Sequence, residues 1–256
     1  MLILSENRYF TYTILERSGS FILLREYKQS EDEDFTDFHE SVLKLDPFLN
    51  RAFSKVSVGI SNKRLVLVPE VIFNEQQSVH YLENSSPIWT SDKVMVDIIR
   101  DQDIRMVYAF RNSVLIQYRQ HFSNLEVNNA LTKYIGALNS LLSGLKYGHN
   151  LFINALYDTM YVVLFRNNEL TFANVYEFST AEDFLYYVML IFKEFQLDQD
   201  STPTYISGKL DKDSIIHDLL LRYIRNLNFI STEGSDQLRI DGIPPQLYFD
   251  LFALRS

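Results

Sequence analysis

An internal duplication constrains this chain more than any motif in it. Residues 1–59, displaced by 149 positions, lie without a gap on residues 150–208. Tyr12 meets Tyr161, Arg17 meets Arg166, and Tyr27 meets Tyr176. Ser30, Glu33, Asp34 and Phe35 meet Ser179, Glu182, Asp183 and Phe184, and Gly59 meets Gly208. Eleven of the fifty-nine pairs are identical, where composition alone gives roughly four. The order of local signals says more than the count. Each copy reads as apolar strand, hairpin, helix start, helix, polar link, and short strand ending in Gly. Solenoid units repeat every ~20–50 residues, so a period this long marks two domain halves.

Within the first copy, Phe10–Leu15 and Phe21–Tyr27 read as strands around the turn Ser18-Gly19-Ser20. The second copy has Met160–Phe165 and Leu170–Phe178 around Arg166-Asn167-Asn168. Gly and Asn tolerate the backbone twist that hairpin turns demand. Leu2–Leu4 and Leu151–Leu156 read as preceding strands. Ser30-x-x-Glu33 and Ser179-x-x-Glu182 fit a capping box, in which each side chain satisfies the other's free backbone N–H. The first helix places Phe35, Phe38, Val42 and Leu45 on one amphipathic stripe. The second, Phe184–Phe192, is apolar all round and is expected to be buried on most sides. Val56–Gly59 and Tyr205–Gly208 follow as short strands.

Beyond these strands the copies diverge. The second continues into a helix carrying Ile215, Ile216, Leu219, Leu220, Tyr223 and Ile224. The first continues into a strand, Arg64–Pro69. Residues 70–145 read as an addition without counterpart, holding a strand at Ile104–Phe110 and helices around Val114–Phe122 and Asn129–Leu142. The organisation expected is a first lobe over 1–145, with 70–145 as its extra α/β segment, and a second lobe over 146–256. Loop signals at Glu233-Gly234-Ser235 and Gly242-Ile243-Pro244-Pro245 precede a terminal apolar element, Leu247–Leu254.

Several function classes are disfavoured. The chain has no Cys, which removes disulfides, thiolate metal sites and Cys nucleophiles. Its net charge is −9, which opposes non-specific binding to nucleic acid, and no basic stripe offsets it. The longest apolar run is nine residues, Phe184–Phe192, against the ~20 a membrane span needs. Ser5-Glu6-Asn7-Arg8 breaks the apolar start too early for a secretory signal, so a cytoplasmic location is expected. The five His residues, 39, 80, 121, 149 and 217, show no metal spacing and read as surface or satisfied structural side chains. There is no P-loop, and no Gly-x-Ser-x-Gly elbow. The acidic groups Asp97/Asp101/Asp103, Asp198/Asp200 and Asp211/Asp213 read as loop and helix-start residues, where solvation and capping explain them. Trp89 sits in a loop-like stretch as a possible partner anchor, with packing over a core edge as its plainer reading.

Three strands, a helix, a strand and a helix, used twice, resemble the ribonuclease H-like unit duplicated in the actin-like ATPase fold. The stretch from Asn167-Asn168-Glu169-Leu170 through Ala181–Tyr187 to Ser207-Gly208 carries most of the likeness. The second half resembles the actin-like proteins of pilus assembly. The whole chain is similar to a bacterial family of unknown function with that fold. The resemblance implies an α/β, two-lobed protein with mixed sheets.

It also implies where a nucleotide would sit. Actin-like ATPases carry an Asp-x-Gly type loop after the first strand of each lobe, the Asp for a metal or its waters, the Gly for close approach of backbone to phosphate. Here the loops read Ser5-Glu6-Asn7-Arg8 and Ala155-Leu156-Tyr157-Asp158-Thr159, without Gly. The adenosine-side glycine pair is reduced to Ser207-Gly208-Lys209. Asp158, Thr159, Ser207 and Gly208 are therefore the candidate nucleotide-binding residues. No cofactor is expected, and ATP with Mg is the one the fold would admit. The leading expectation is a non-catalytic protein that binds another protein. The alternatives are a nucleotide-binding protein with a degenerate ATPase- or kinase-type site between the lobes, and a metal-dependent nuclease of the ribonuclease H type.

Overall fold

A computed structural model describes residues 1–142, 144–145, 148–230 and 244–255. The loop signals at 233–235 and at Gly242-Ile243 lie outside the described residues. Two compact units are present, one of Met1–Gly136 with Leu251–Ser256 and one of Ala137–Asp250.

The first unit opens with β1 (Leu2–Ser5), β2 (Tyr9–Leu15) and β3 (Phe21–Lys28), an antiparallel meander. Helix α1 (Phe35–Leu45) then carries the chain to β4 (Val56–Ile60), which pairs parallel to β1. A parallel neighbour needs such a crossover, because a tight turn can only reverse the chain. The second unit repeats the plan with β9 (His149–Ala155), β10 (Thr159–Arg166), β11 (Glu169–Glu177), α5 (Ala181–Glu194) and β12 (Thr204–Gly208).

The match goes further than the sequence suggests. Helix α3 (Asn112–His121) leads into β8 (Leu125–Asn129), parallel to β4, and α6 (Ile215–Leu221) leads into β13 (Leu227–Phe229), parallel to β12. The sheet orders are β3-β2-β1-β4-β8 and β11-β10-β9-β12-β13, the same topology twice. By position in the sheet, the stretch with no counterpart is about 61–111. It forms an antiparallel sheet, β5 (Leu65–Pro69), β7 (Ile104–Arg111) and β6 (Asp92–Ile99) in that order, with the short helix α2 (Ser78–Glu83). Val68, Leu82, Val107 and Ala109 form its buried cluster. Helix α4 (Ala130–Leu142) follows β8, and α7 (Phe249–Ala253) closes the chain.

The register of the duplication differs from the gapless 149. The turns Glu6 N–H to Tyr9 C=O and Leu156 N–H to Thr159 C=O are equivalent, which sets Ser5 against Ala155 and Phe10 against Met160. That displacement is 150. The helices α1 and α5 end at equivalent residues 149 apart. Ser61 N–H to Ser5 C=O and Lys209 N–H to Ala155 C=O make the displacement 148 at β4 and β12. Small length changes in the links absorb the difference. A one-residue slip sends a strand side chain to the opposite face, so Tyr12 and Tyr161 are not counterparts. Phe10, Tyr12 and Ile14 correspond to Met160, Val162 and Leu164, the β10 residues of the second unit's core with Phe184, Val188 and Ile191.

Two helix readings need correction. The N-caps are Asp34, whose carboxylate accepts from Thr36 N–H, and Thr180, which forms a full capping box with Asp183. They are not Ser30 and Ser179: Asp34, four residues on, and Thr180, one residue on, present their oxygens to the free amides. On α1 the buried face is Phe38, His39, Val42 and Leu43, and Leu45 is 80% exposed. On α5 only Phe184, Val188, Ile191 and Phe192 are buried, and Tyr186 is 62% exposed. The helix thus packs one face on the sheet, while half-buried Tyr187 stacks on Tyr176 at 4.6 Å. The aromatic rims are wide enough to be half covered, which apolarity alone did not reveal.

The parallel strand ends are tight. Gly208 has φ +86°, and a Cβ there would lie 2.0 Å from the Ala155 carbonyl oxygen. Gly136, inside α4, has nothing within 4 Å of its Cβ position. Gly208→Ala is expected to lose more than ~4 kcal/mol in urea unfolding. Gly136→Ala is expected to gain up to ~1 kcal/mol. A Gly208→Ala variant as stable as the parent would contradict the close approach.

Candidate functional site

The carboxyl ends of β1 and β4 lie side by side, as do those of β9 and β12. In the first unit, Ser5 and Glu6 are buried, with Glu6 at 1% exposure, and so are Ser61 and Asn62. The Glu6 N–H is spent on Tyr9 C=O at 2.9 Å, and Ser61 N–H on Ser5 C=O at 2.8 Å. Asn62 ties the exit of β4 to the added sheet, donating from Nδ2 to Ala109 C=O at 3.0 Å. Its Oδ1 accepts from Arg64 N–H at 3.0 Å.

His39 of α1 plugs the end of β1. Its Nδ1 lies 2.8 Å from the Phe35 carbonyl, which can only accept, so Nδ1 carries the proton. Nε2 then accepts from the Ser5 hydroxyl at 3.0 Å. A Ser–His pair with an oriented base has the form of a nucleophilic dyad. Here both residues are fully buried, and the rings of Phe35, Phe38, Phe10 and Tyr118 stand 4.3, 5.2, 5.8 and 5.8 Å from the imidazole. No substrate reaches it. Burial pushes the His39 pKa down to about 4, despite the opposing Phe35 carbonyl.

In the second unit the structure brings all four candidate residues to one end of the sheet. Asp158 lies in the β9–β10 turn, half-buried, and its carbonyl accepts from Phe178 N–H at 3.0 Å. Thr159 is the buried first residue of β10. Ser207 and Gly208 end β12, paired with Asn154 and Ala155 of β9. The Ser207 hydroxyl donates to Asn154 Oδ1 at 2.7 Å, and both residues are buried. The Lys209 N–H goes to Ala155 C=O at 2.6 Å. The Lys209 ammonium sits over the Tyr248 ring at 3.6 Å, with the Tyr157 ring at 5.1 Å, a cation–π arrangement. By position in the turn, Asp158 corresponds to Arg8, so the acid is present in one unit only.

Asp97 is not the loop residue the sequence suggests. It lies within β6, buried, where Asn129 N–H donates to it at 2.6 Å and Tyr108 Oη–H at 3.2 Å. Burial raises its pKa, against hydrogen bonds from Asn129, Asn128, Thr132 and Tyr108. Asp101 and Asp103 occupy left-handed positions in the β6–β7 hairpin. Asp198 and Asp211 accept from backbone N–H groups two residues on, as turn residues. The carboxylates therefore do not converge, and no group of three or more metal-ligating side chains forms among the described residues. Trp89 is 52% exposed, with the Arg64 guanidinium 4.4 Å above its ring. Among the described residues no helix is long and apolar enough to cross a membrane.

A family of proteins of unknown function, DUF3822, matches residues 1–227. The chain belongs to the DUF3822 family. No curated protein matches it. A protein of Bacteroides thetaiotaomicron VPI-5482, with an actin-like ATPase fold and unknown function, superposes with TM-score 0.84 at 17% identity, over 99% of this chain and 95% of that one. A chain of the PilM–PilN type IV pilus biogenesis complex superposes with TM-score 0.68 at 11% identity, over 99% and 95%. At these identities the likeness shows the fold. This member of DUF3822 has the actin-like ATPase fold, with duplicated ribonuclease H-like units.

The imidazole of His39 supplies a measurable consequence. The folded state holds it neutral, while the unfolded chain takes a proton below about pH 6.5. Stability is therefore complete above that pH and falls as the pH drops toward 4, by about 3 kcal/mol. His39→Gln keeps a polar side chain that does not titrate. Urea unfolding between pH 7 and 4 is expected to show a stability slope shallower by that amount in the variant. Equal slopes would contradict the buried neutral His.

Proposed function

We propose that this protein is a non-catalytic member of the actin-like fold that works by binding another protein. One observation carries the reading. The strand ends that the fold would use to hold phosphate are filled by the protein's own groups. In the first unit these are Ser5, Glu6, His39 and Asn62, and in the second Asn154, Ser207 and the Gly208–Ala155 backbone contact. Phosphate cradles rely on backbone N–H groups left unspent at glycine-rich turns. The turn amides of Glu6 and Leu156 are spent within their own turns. The solved PilM relative is in a complex with PilN, which supports partner binding as a use of this architecture. Half-exposed Trp89, held by Arg64, has the residue type and position of a contact anchor.

A second reading is a degenerate nucleotide site. It is favoured by the gathering of Asp158, Thr159, Ser207 and Gly208 at one end of the second unit's sheet, beside the Lys209 ammonium. The two readings separate on thermal unfolding with Mg-ATP. Binding at a hundredfold excess over Kd would stabilise the protein by about 2.7 kcal/mol. The expected results are no shift at millimolar Mg-ATP, and phosphate release equal to a protein-free blank for both the parent and Asp158→Ala. ATP turnover abolished by Asp158→Ala would overturn the non-catalytic reading.

A further inference from the structure

The first unit holds a cavity of about 510 Å³ at the opposite end of its sheet from His39. It lies between the α1–β4 link and the α3–β8 link, and its lining includes Asn50, Arg51, Arg119, His121 and Ser123. No described acidic side chain lines it. In a chain of net charge −9, this is a local concentration of cations. We propose that this cavity is an anion site that takes the phosphoryl group of a small molecule.

The two guanidiniums carry the argument. Arg51 and Arg119 make no ion pair among the described residues. Arg51 stacks its guanidinium over the Phe48 ring at 4.6 Å, and Arg25 stacks on the same ring at 4.5 Å. Stacking uses the face of the guanidinium and leaves its in-plane N–H fork for an anion. The ring also fixes the side chain, which lowers the entropy cost of binding. Phosphate suits such a fork because it accepts two parallel hydrogen bonds.

His121 is held in place by its Nε2 contact to Leu49 C=O at 3.2 Å. Asn50 and Ser123 add neutral polar groups on the two links. A plainer reading makes Arg119 and His121 compensation for the carboxyl end of α3. That end is worth about half a negative charge, and Arg51 is not on the helix. Set against the two guanidiniums, that end leaves roughly one and a half positive charges in excess. The depression is open to solvent, with Arg51 and Arg119 both exposed, and its volume lies within the ~300–1,000 Å³ of small-molecule sites.

The test is calorimetric titration of the full chain with inorganic pyrophosphate and inorganic phosphate at fixed ionic strength. Vesicles containing phosphatidylglycerol serve as a separate arm. Saturable binding is expected, at least tenfold weaker in Arg51→Glu/Arg119→Glu and unchanged in Arg166→Glu. Arg51→Gln/Arg119→Gln, whose melting temperature is checked first, replaces the charge reversal if that variant misfolds. Soluble anion binding that depends on the two arginines upholds a free phosphate ligand. Dependence seen only with vesicles upholds phosphate recognition and assigns it to a lipid headgroup. No saturable binding in any arm, undiminished binding in both double variants, or equal loss in Arg166→Glu overturns the proposal.

Discussion

The parallel pairing of β1 with β4, and of β9 with β12, fixes where everything else in this protein can go. Each pair needs a helical crossover, so α1 and α5 must lie over their sheets. Each also brings two carboxyl strand ends side by side, the place where open α/β sheets bind ligands. In this chain those ends are finished by its own side chains and backbone. In one unit the crossover helix delivers His39 onto Ser5 inside a cage of four aromatic rings. In the other, Gly208 lies directly against the Ala155 carbonyl.

Closing a strand end from within is costly unless every polar group finds a partner. In the first unit local bonds pair Ser5, His39 and Asn62, while the buried Ser61 hydroxyl has no hydrogen-bond partner among the described residues. Asp46, at the carboxyl end of α1, illustrates the same habit. It is buried, yet it accepts from Tyr12 Oη at 2.5 Å, Tyr27 Oη at 2.7 Å, Arg25 at 3.1 Å and Phe48 N–H at 2.9 Å. Burial alone would raise its pKa, but these donors hold it below the ordinary carboxylate range. Such networks rigidify a core.

Much of the fold was legible because its signals are local. The hairpin turns were readable from Gly19, at φ +91°, and from Asn167 and Asn168, at φ 53° and 69°, since few other residues accept that backbone. The helices were readable from their apolar spacing. The kinship of β8 with β13 was not, because Leu125-Glu126-Val127-Asn128-Asn129 is too polar to announce a strand. It is one by virtue of pairing with β4. Strand β6 was hidden by Asp92 and Asp97, acids buried against Arg64 and Asn129. The candidate residues of the second unit were found from the resemblance, and the fold does bring them together. His39 carried no sequence signal, because a lone His on an aromatic stripe looks like any satisfied core residue.

The central claim is that the strand ends are closed by the protein itself. Amide hydrogen exchange at Glu6, Ser61, Leu156 and Lys209, followed with and without Mg-ATP, tests it most directly. The account predicts protection close to that of the central strands in the free protein, unchanged by the nucleotide. Rapid exchange at these four amides, slowed when Mg-ATP is added, would contradict it.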